Sequence, residues 1–260
     1  MSQDQTLPGI DPDVELPSWL HAIRTGARAI RGSDLTRFLP PEGGASRQGA
    51  VLMLLSDGDD GPEVMLTERA HDMRSHPGQV SFPGGSIDPG ETVVEAALRE
   101  AEEEIGVDPA AVTPFASLPE LWLPPSDFAV TTVLGWWHDP HPVTVASPQE
   151  VHAIHRVPLR ELVDPEHRIA IRHPGGFTGP GFLIGADKDV ILWGFTGGIL
   201  TRFFDFLDWL PAVEEPPVHD LPDYMLAEYR SRAEADGDSD RPGRDGLDLA
   251  EPNPAPRKDR

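Results

Sequence analysis

Gly85-Ser-Ile-Asp-Pro-Gly-Glu91, then seven residues, then Arg99-Glu-Ala-Glu-Glu-Glu-Ile-Gly-Val107 is the stretch on which the fold turns. Between Thr92 and Ile105, the apolar residues Val94, Ala97, Leu98, Ala101 and Ile105 recur with the period of an amphipathic helix, and Gly106 supplies a stop. At ~100° per residue, Glu100, Glu103 and Glu104 gather as one patch on a different face. That patch lies in the last turns, where the helix dipole is negative and each carboxylate costs ~0.3–1 kcal/mol. The like-charged Glu100/Glu104 pair adds a smaller penalty of the same sign. A Glu-rich helix in an acidic protein is ordinarily just a solvated face. Charges concentrated at the unfavourable end are better explained by a cation that neutralises them. Oxygen-only ligands select hard ions such as Mg2+ or Mn2+. Arg99, set among the acids, is either an ordinary helix ion pair or the group that orients a metal-binding carboxylate.

Outward from this helix, strand patterns appear at Gly49–Leu55, Glu63–Thr67, Gln79–Phe82, Phe115–Leu123, Phe128–Trp137, Val151–Val157, Ile169–Arg172 and Phe182–Ile184. Helices are predicted over Ser18–Ile30 and Phe195–Leu210. Strands flanking a long helix, with another helix at the end, predict a mixed α/β layered domain. Four tryptophans, Trp122, Trp136, Trp137 and Trp193, read as core rather than as a platform for a base. From Ser231 to Arg260 the sequence has eight acids, six bases and only two Leu, so it is expected to be disordered. The division that follows is an N-terminal extension with a short helix (1–44), a domain (45–212) and a C-terminal segment (213–260).

The 260 residues carry a formal net charge of −23 and no Cys. The charge argues against nucleic-acid or anionic-membrane binding, which use a basic field. It leaves room for an anionic small molecule wherever basic side chains or metal ions reverse the field locally. The absence of Cys excludes disulfides, thiolate catalysis and thiolate-ligated metals. No apolar run approaches the ~18 residues of a membrane span, and the first residues do not form a secretory signal, so a cytoplasmic protein is expected. The oligomeric state stays open, a homodimer included.

Gly85 through Val107 resembles the Nudix box, Gly-x5-Glu-x7-Arg-Glu-U-x-Glu-Glu-x-Gly-U with U aliphatic, at every position; Ala101 is a small occupant of its U. The resemblance implies the Nudix fold, α/β with a mixed β-sheet sandwiched between α-helices. It also implies metal-dependent hydrolysis of a nucleoside diphosphate joined to another group. Glu100, Glu103 and Glu104 then fall on the family's metal-binding positions, with Mg2+ or Mn2+ as cofactor, and Arg99 and Glu91 on its supporting salt-bridge positions.

A second pattern narrows the substrate. Leu66-Thr-Glu-Arg69-Ala70, Arg74, Gly78 and Phe82-Pro-Gly-Gly85 resemble the signature accompanying the box in coenzyme A pyrophosphatases, with Met65 as a conservative departure from Leu. Coenzyme A carries a diphosphate and a 3′-phosphate, and Arg69, His71, Arg74 and His76 form the only local basic cluster near the predicted metal site. Arg grips phosphate bidentately, which makes Arg69 and Arg74 the candidate substrate-binding cations. Gly84 and Gly85 let backbone approach phosphate closely, or form the turn into the helix. More loosely, Leu123–Thr131 and Ile191–Leu200 are similar to later family segments, with Asp127 in place of an expected Gly and Thr132 of a Pro. The resemblance covers about residues 45–210. The expected reaction on coenzyme A yields adenosine 3′,5′-bisphosphate and 4′-phosphopantetheine. ADP-ribose or a dinucleoside polyphosphate is the rival substrate, and a catalytically silent ligand-sensing domain the rival class. The general base is left between Glu100 and a downstream loop carboxylate such as Glu120.

Overall fold

The computed structural model describes residues 7–36, 38, 45–73, 75–123, 127–173 and 176–226. Arg74 and the acidic segment from 231 onward lie outside these residues.

Strand β1 (Arg47–Gly58) is the axis of the fold. It pairs antiparallel with β2 (Gly61–Arg69) through a tight connection and parallel with β7 (Phe128–Trp137), Leu54 facing Met65 and Val51 facing Thr132. The parallel neighbour requires a crossover, and the chain between them supplies β3 (Val80–Ser81), β4 (Gly84–Ser86), α3 (Val93–Ile105), β5 (Val112–Ser117) and β6 (Leu121–Leu123). The sheet runs β3-β2-β1-β7-β5, with β4 also on β1, β6 on β7 and β8 (Val151–Pro158) on β2. Alternation along β1 sorts its apolar residues to two sides. Met53 and Leu55 meet α1 (Leu20–Ala29) and α5 (Gly194–Phe206), whereas Ala50, Leu52 and Leu54 meet α3. The mixed sheet therefore lies between helices, as the sequence predicts. Two short helices are α2 (Gly32–Leu35), between α1 and β1, and α4 (Leu159–Val163), directly after β8.

A second sheet, β11-β10-β9-β12, follows: β9 (Arg168–Arg172), β10 (Thr178–Ile184), β11 (Val190–Leu192) and β12 (Val218–Asp220). Its Phe182, Ile184 and Leu192 join the α1/α5 core. Among the described residues, no helix is long and apolar enough to cross a membrane.

Two expectations are corrected, and one strand is added. Phe115–Leu123 is two strands, because Pro119 has no N–H to donate and the ladder to β7 breaks around it. The last helix ends at Phe206 rather than Leu210: Asp208 turns left-handed (φ 57°) and the Trp209 N–H caps the Phe204 carbonyl at 2.9 Å. Strand β4 went unread, because its two glycines carry no strand propensity and only pairing with β1 extends them. Of the tryptophans, Trp137 and Trp193 are buried, and Trp122 and Trp136 half-buried.

Candidate active site

Helix α3 begins with a reciprocal cap. The Glu95 N–H donates to the Thr92 hydroxyl (3.2 Å) while the Thr92 N–H donates to the Glu95 carboxylate (2.8 Å), and Gly106 ends the helix at φ 72°. Between these two stops the phase of every side chain is set.

Arg99 is the hub. Its Nε and Nη2 grip Glu91 bidentately at 2.9 and 3.1 Å, Nη1 reaches Glu100 (2.9 Å) and Glu103 (3.2 Å), and Nη2 also donates to the Ser86 carbonyl (3.1 Å). One guanidinium thus ties the loop before the helix to two of its carboxylates. Its pairing with Glu91 holds the Glu91 carboxyl below the usual range and raises the arginine's own pKa.

The three helix glutamates are not the uniformly solvated patch that their spacing suggests. Glu103 is exposed, Glu100 half-buried and Glu104 only 4% exposed. The Gly84 N–H donates to Glu104 Oε2 at 3.3 Å. Burial pushes the Glu104 carboxyl up to about 8; the Glu100 and Glu150 charges push the same way, against the Gly84 N–H and Arg69. Burial likewise raises Glu100, with Arg99 opposing and Glu103 and Glu150 adding.

Gly84 and Gly85 make this crowding possible. A Cβ on Gly85 would stand 2.5 Å from Glu100 Oε1, and one on Gly84 only 2.4 Å from the Ala50 carbonyl. Strand β4 is therefore the floor against which the carboxylates lie, and the Gly84 N–H is directed at Glu104. An oxygen-only donor set, partly buried and short of positive charge, fits a hard divalent cation.

Arg69 ends β2 on the α3 side. Its charge acts on Glu104, and its buried Nε has no hydrogen-bond partner among the described residues. His71, expected to share this basic cluster, instead bonds Glu68 at 2.6 Å, and His76 occupies a left-handed turn (φ 55°). Arg74 lies outside the described residues.

Glu150 is the residue missed by sequence reasoning. It precedes β8, its carbonyl accepts from the Ala70 N–H (2.8 Å), and its carboxylate is close enough to act on Glu100 and Glu104. No local pattern marks it; only the β2–β8 pairing brings it there. Asp127 explains its own departure from Gly. It adopts the left-handed φ of 47° that Asp tolerates, and its carboxylate accepts from the Ser46 N–H (3.1 Å) and Trp122 Nε1 (3.0 Å).

Residues 46–175 match the model of the NUDIX domain family. Nudix hydrolase 15, mitochondrial, of Arabidopsis thaliana is 37% identical over 182 residues, covering 65% of this chain and 59% of its own length. Nudix hydrolase 3 of Caenorhabditis elegans is 40% identical over 116 residues, 44% of this chain and 48% of its own. NudL of Enterobacter sp. (strain 638), named as an uncharacterized Nudix hydrolase, is 37% identical over 163 residues, 59% and 79% of the two chains. This chain thus spans under two thirds of the length of the first two relatives.

Proposed function

The chain belongs to the NUDIX family, and from that premise we propose that it is a divalent-cation-dependent pyrophosphohydrolase. Its proposed substrate is coenzyme A or a derivative, cut at the diphosphate to adenosine 3′,5′-bisphosphate and 4′-phosphopantetheine or its acyl form. The observation that carries the reading is the juxtaposition of under-neutralised carboxylates, Glu100 and Glu104, with the unmatched buried donor of Arg69. Among the described residues, Glu104 accepts from no cationic side chain and Arg69 Nε has no acceptor, although the two charges act on each other. A metal-bound diphosphate supplies a cation to the first and an acceptor to the second.

Glu100, Glu103 and Glu104 would hold Mg2+ or Mn2+, which when bound supplies neutralisation of the charge developing on the phosphoryl oxygens. Arg99 keeps Glu100 and Glu103 oriented and anchors them to the loop through Glu91. Glu104 gives up its proton when positive charge arrives. Arg69 donates to a substrate phosphate. The attacking water gives its proton to a Glu150 carboxylate oxygen, which, unlike those on α3, is not needed to hold the cation. The substrate assignment is supported by the Leu66–Gly85 signature and by the position of Arg69 beside the carboxylates. The proposed catalytic domain is residues 45–212 of a cytoplasmic protein.

A product-resolved screen of coenzyme A, ADP-ribose, NADH and dinucleoside polyphosphates, with Mg2+ and with Mn2+, tests this. Coenzyme A is expected to be the preferred substrate, and Arg69→Ala to raise its KM by roughly 10- to 150-fold, the worth of one charge-assisted contact. A tenfold preference for ADP-ribose in kcat/KM would remove the substrate and leave the chemistry. No turnover of any of them would remove the enzyme.

A further inference from the structure

Strand β2 carries a second polar cluster one residue before Arg69, and nothing in the proposed hydrolysis uses it. Side chains alternate along β2, so Glu68 shares the side of Val64 and Leu66, facing the α1/α5 core, while Met65 and Arg69 face α3. Glu68 is buried, 8% exposed. Each of its oxygens meets an imidazole: Oε1 lies 2.6 Å from His71 Nε2, and Oε2 lies 2.9 Å from His155 Nε2. A third imidazole arrives through a defect in the sheet. Pairing of β2 with β8 slips between Glu68, opposite Ala153, and Arg69, opposite Val151, so His152 is the extra residue. Bulges re-aim side chains, and this one sets the His152 ring 4.2 Å from that of His71. The other side of His71 stacks on Tyr224, 4.6 Å away and tilted by 12°. One ligand atom each of Glu68, His71 and His152 lies within 4.8 Å of the others.

One histidine would satisfy a buried carboxylate. Three converge on this one, two of them in ring contact, where two imidazolium charges would repel. A neutral imidazole offers a lone pair, and two of these beside a carboxylate form a mixed nitrogen–oxygen donor set. Such a set suits a borderline transition metal rather than the hard ions of an oxygen-only site.

We propose that Glu68, His71 and His152 bind one divalent transition-metal ion of the Zn2+ type, separate from the carboxylates of α3. His155 holds the second oxygen of Glu68 and so orients the first, as partners outside the coordination sphere do. The ion takes the place of the hydrogen between Glu68 and His71 Nε2, and the single proton of the neutral ring then sits on Nδ1. Three protein ligands leave a fourth position for water. The site ties the chain immediately after β2 to the start of β8, the two segments that position Arg69 and Glu150.

The test uses the untagged full chain with Co2+ as a spectroscopic probe, in excess Mg2+ to occupy the oxygen-only carboxylates. One Co2+ per chain is expected, with the visible bands of a four-coordinate site, displaced by Zn2+. His71→Ala and His152→Ala, both surface positions, each remove a ligand and should weaken binding by more than the ~100-fold that loss of a supporting partner costs, abolishing the bands. Glu103→Gln should leave it unchanged. Zn2+ should raise the Tm of the parent chain and not that of either histidine variant. Absence of the bands in the parent chain, or their persistence in either histidine variant, overturns the proposal.

Discussion

Glu63 on β2 and Glu104 on α3 are buried almost equally, 6% and 4% exposed, yet their surroundings differ in kind. Glu63 Oε1 accepts from the Ser56 hydroxyl (2.8 Å) and from Arg156 through both Nε and Nη2. Glu104 has the Gly84 N–H, at 3.3 Å, the charge of Arg69 without a hydrogen bond from it, and two neighbouring carboxylates that repel it. The first region carries its own counter-charge and is finished on folding. The second has no ion pair of its own, which is what the proposed cation would supply. Burial of a carboxylate does not by itself mark function; burial without an ion pair makes a carboxylate a candidate for it.

The largest effect that would sharpen this contrast is on catalysis. Glu104→Gln and Glu103→Gln should each lower kcat on the order of 10²-fold at saturating Mg2+, with unchanged far-UV circular dichroism. Glu63→Gln should stay within about twofold of the parent chain per folded molecule, because its partners lie outside the site. Equal losses in all three variants, measured by product formation, would dissolve the distinction. Next in size is Gly85→Ala. The added methyl displaces the Glu100 carboxylate from β4 and should cost roughly tenfold in kcat/KM, on the scale of disturbing a ligand's support.

Stability should move in opposite directions in the two regions. Without divalent cation at neutral pH, Glu104→Gln removes a carboxyl whose ionisation is opposed by burial, and should raise Tm by several degrees, on the order of 2 kcal/mol. Glu63→Gln removes the counter-charge of Arg156 while leaving an acceptor oxygen, and should lower Tm, by about 1–3 kcal/mol. Thermal melts of both variants in chelator check the signs.

The same carboxyl also gives a pH slope. Between its ordinary 4.5 and about 8, Glu104 keeps in the folded chain a proton that the unfolded chain has released. Its contribution to stability is therefore complete below the lower value and is lost as pH rises through the upper one. Metal-free Tm should fall across that window, less so in Glu104→Gln, and Mg2+ should flatten the alkaline part.

Where structure depends on neighbours a few residues apart, the sequence alone determined it. The reciprocal cap at Thr92, the apolar period from Val94 to Ile105 and the left-handed Gly106 are local, and together they establish both the helix and the phase that groups Glu100, Glu103 and Glu104. The bidentate bridge from Arg99 to Glu91, which precedes the helix, is implied by the resemblance to the Nudix box and not by helical phase. What depends on distant segments meeting was decided only in the folded chain. Strand β4 exists because β1 pairs with it, and Glu104 loses water because β4 closes over it. Glu150 and His152 reach opposite sides of β2 because β8, some eighty residues later, docks on it with a one-residue slip. Local propensity acts through adjacent backbone and caps. Burial, register and the company a carboxylate keeps arise from long-range contacts that no short window of sequence contains.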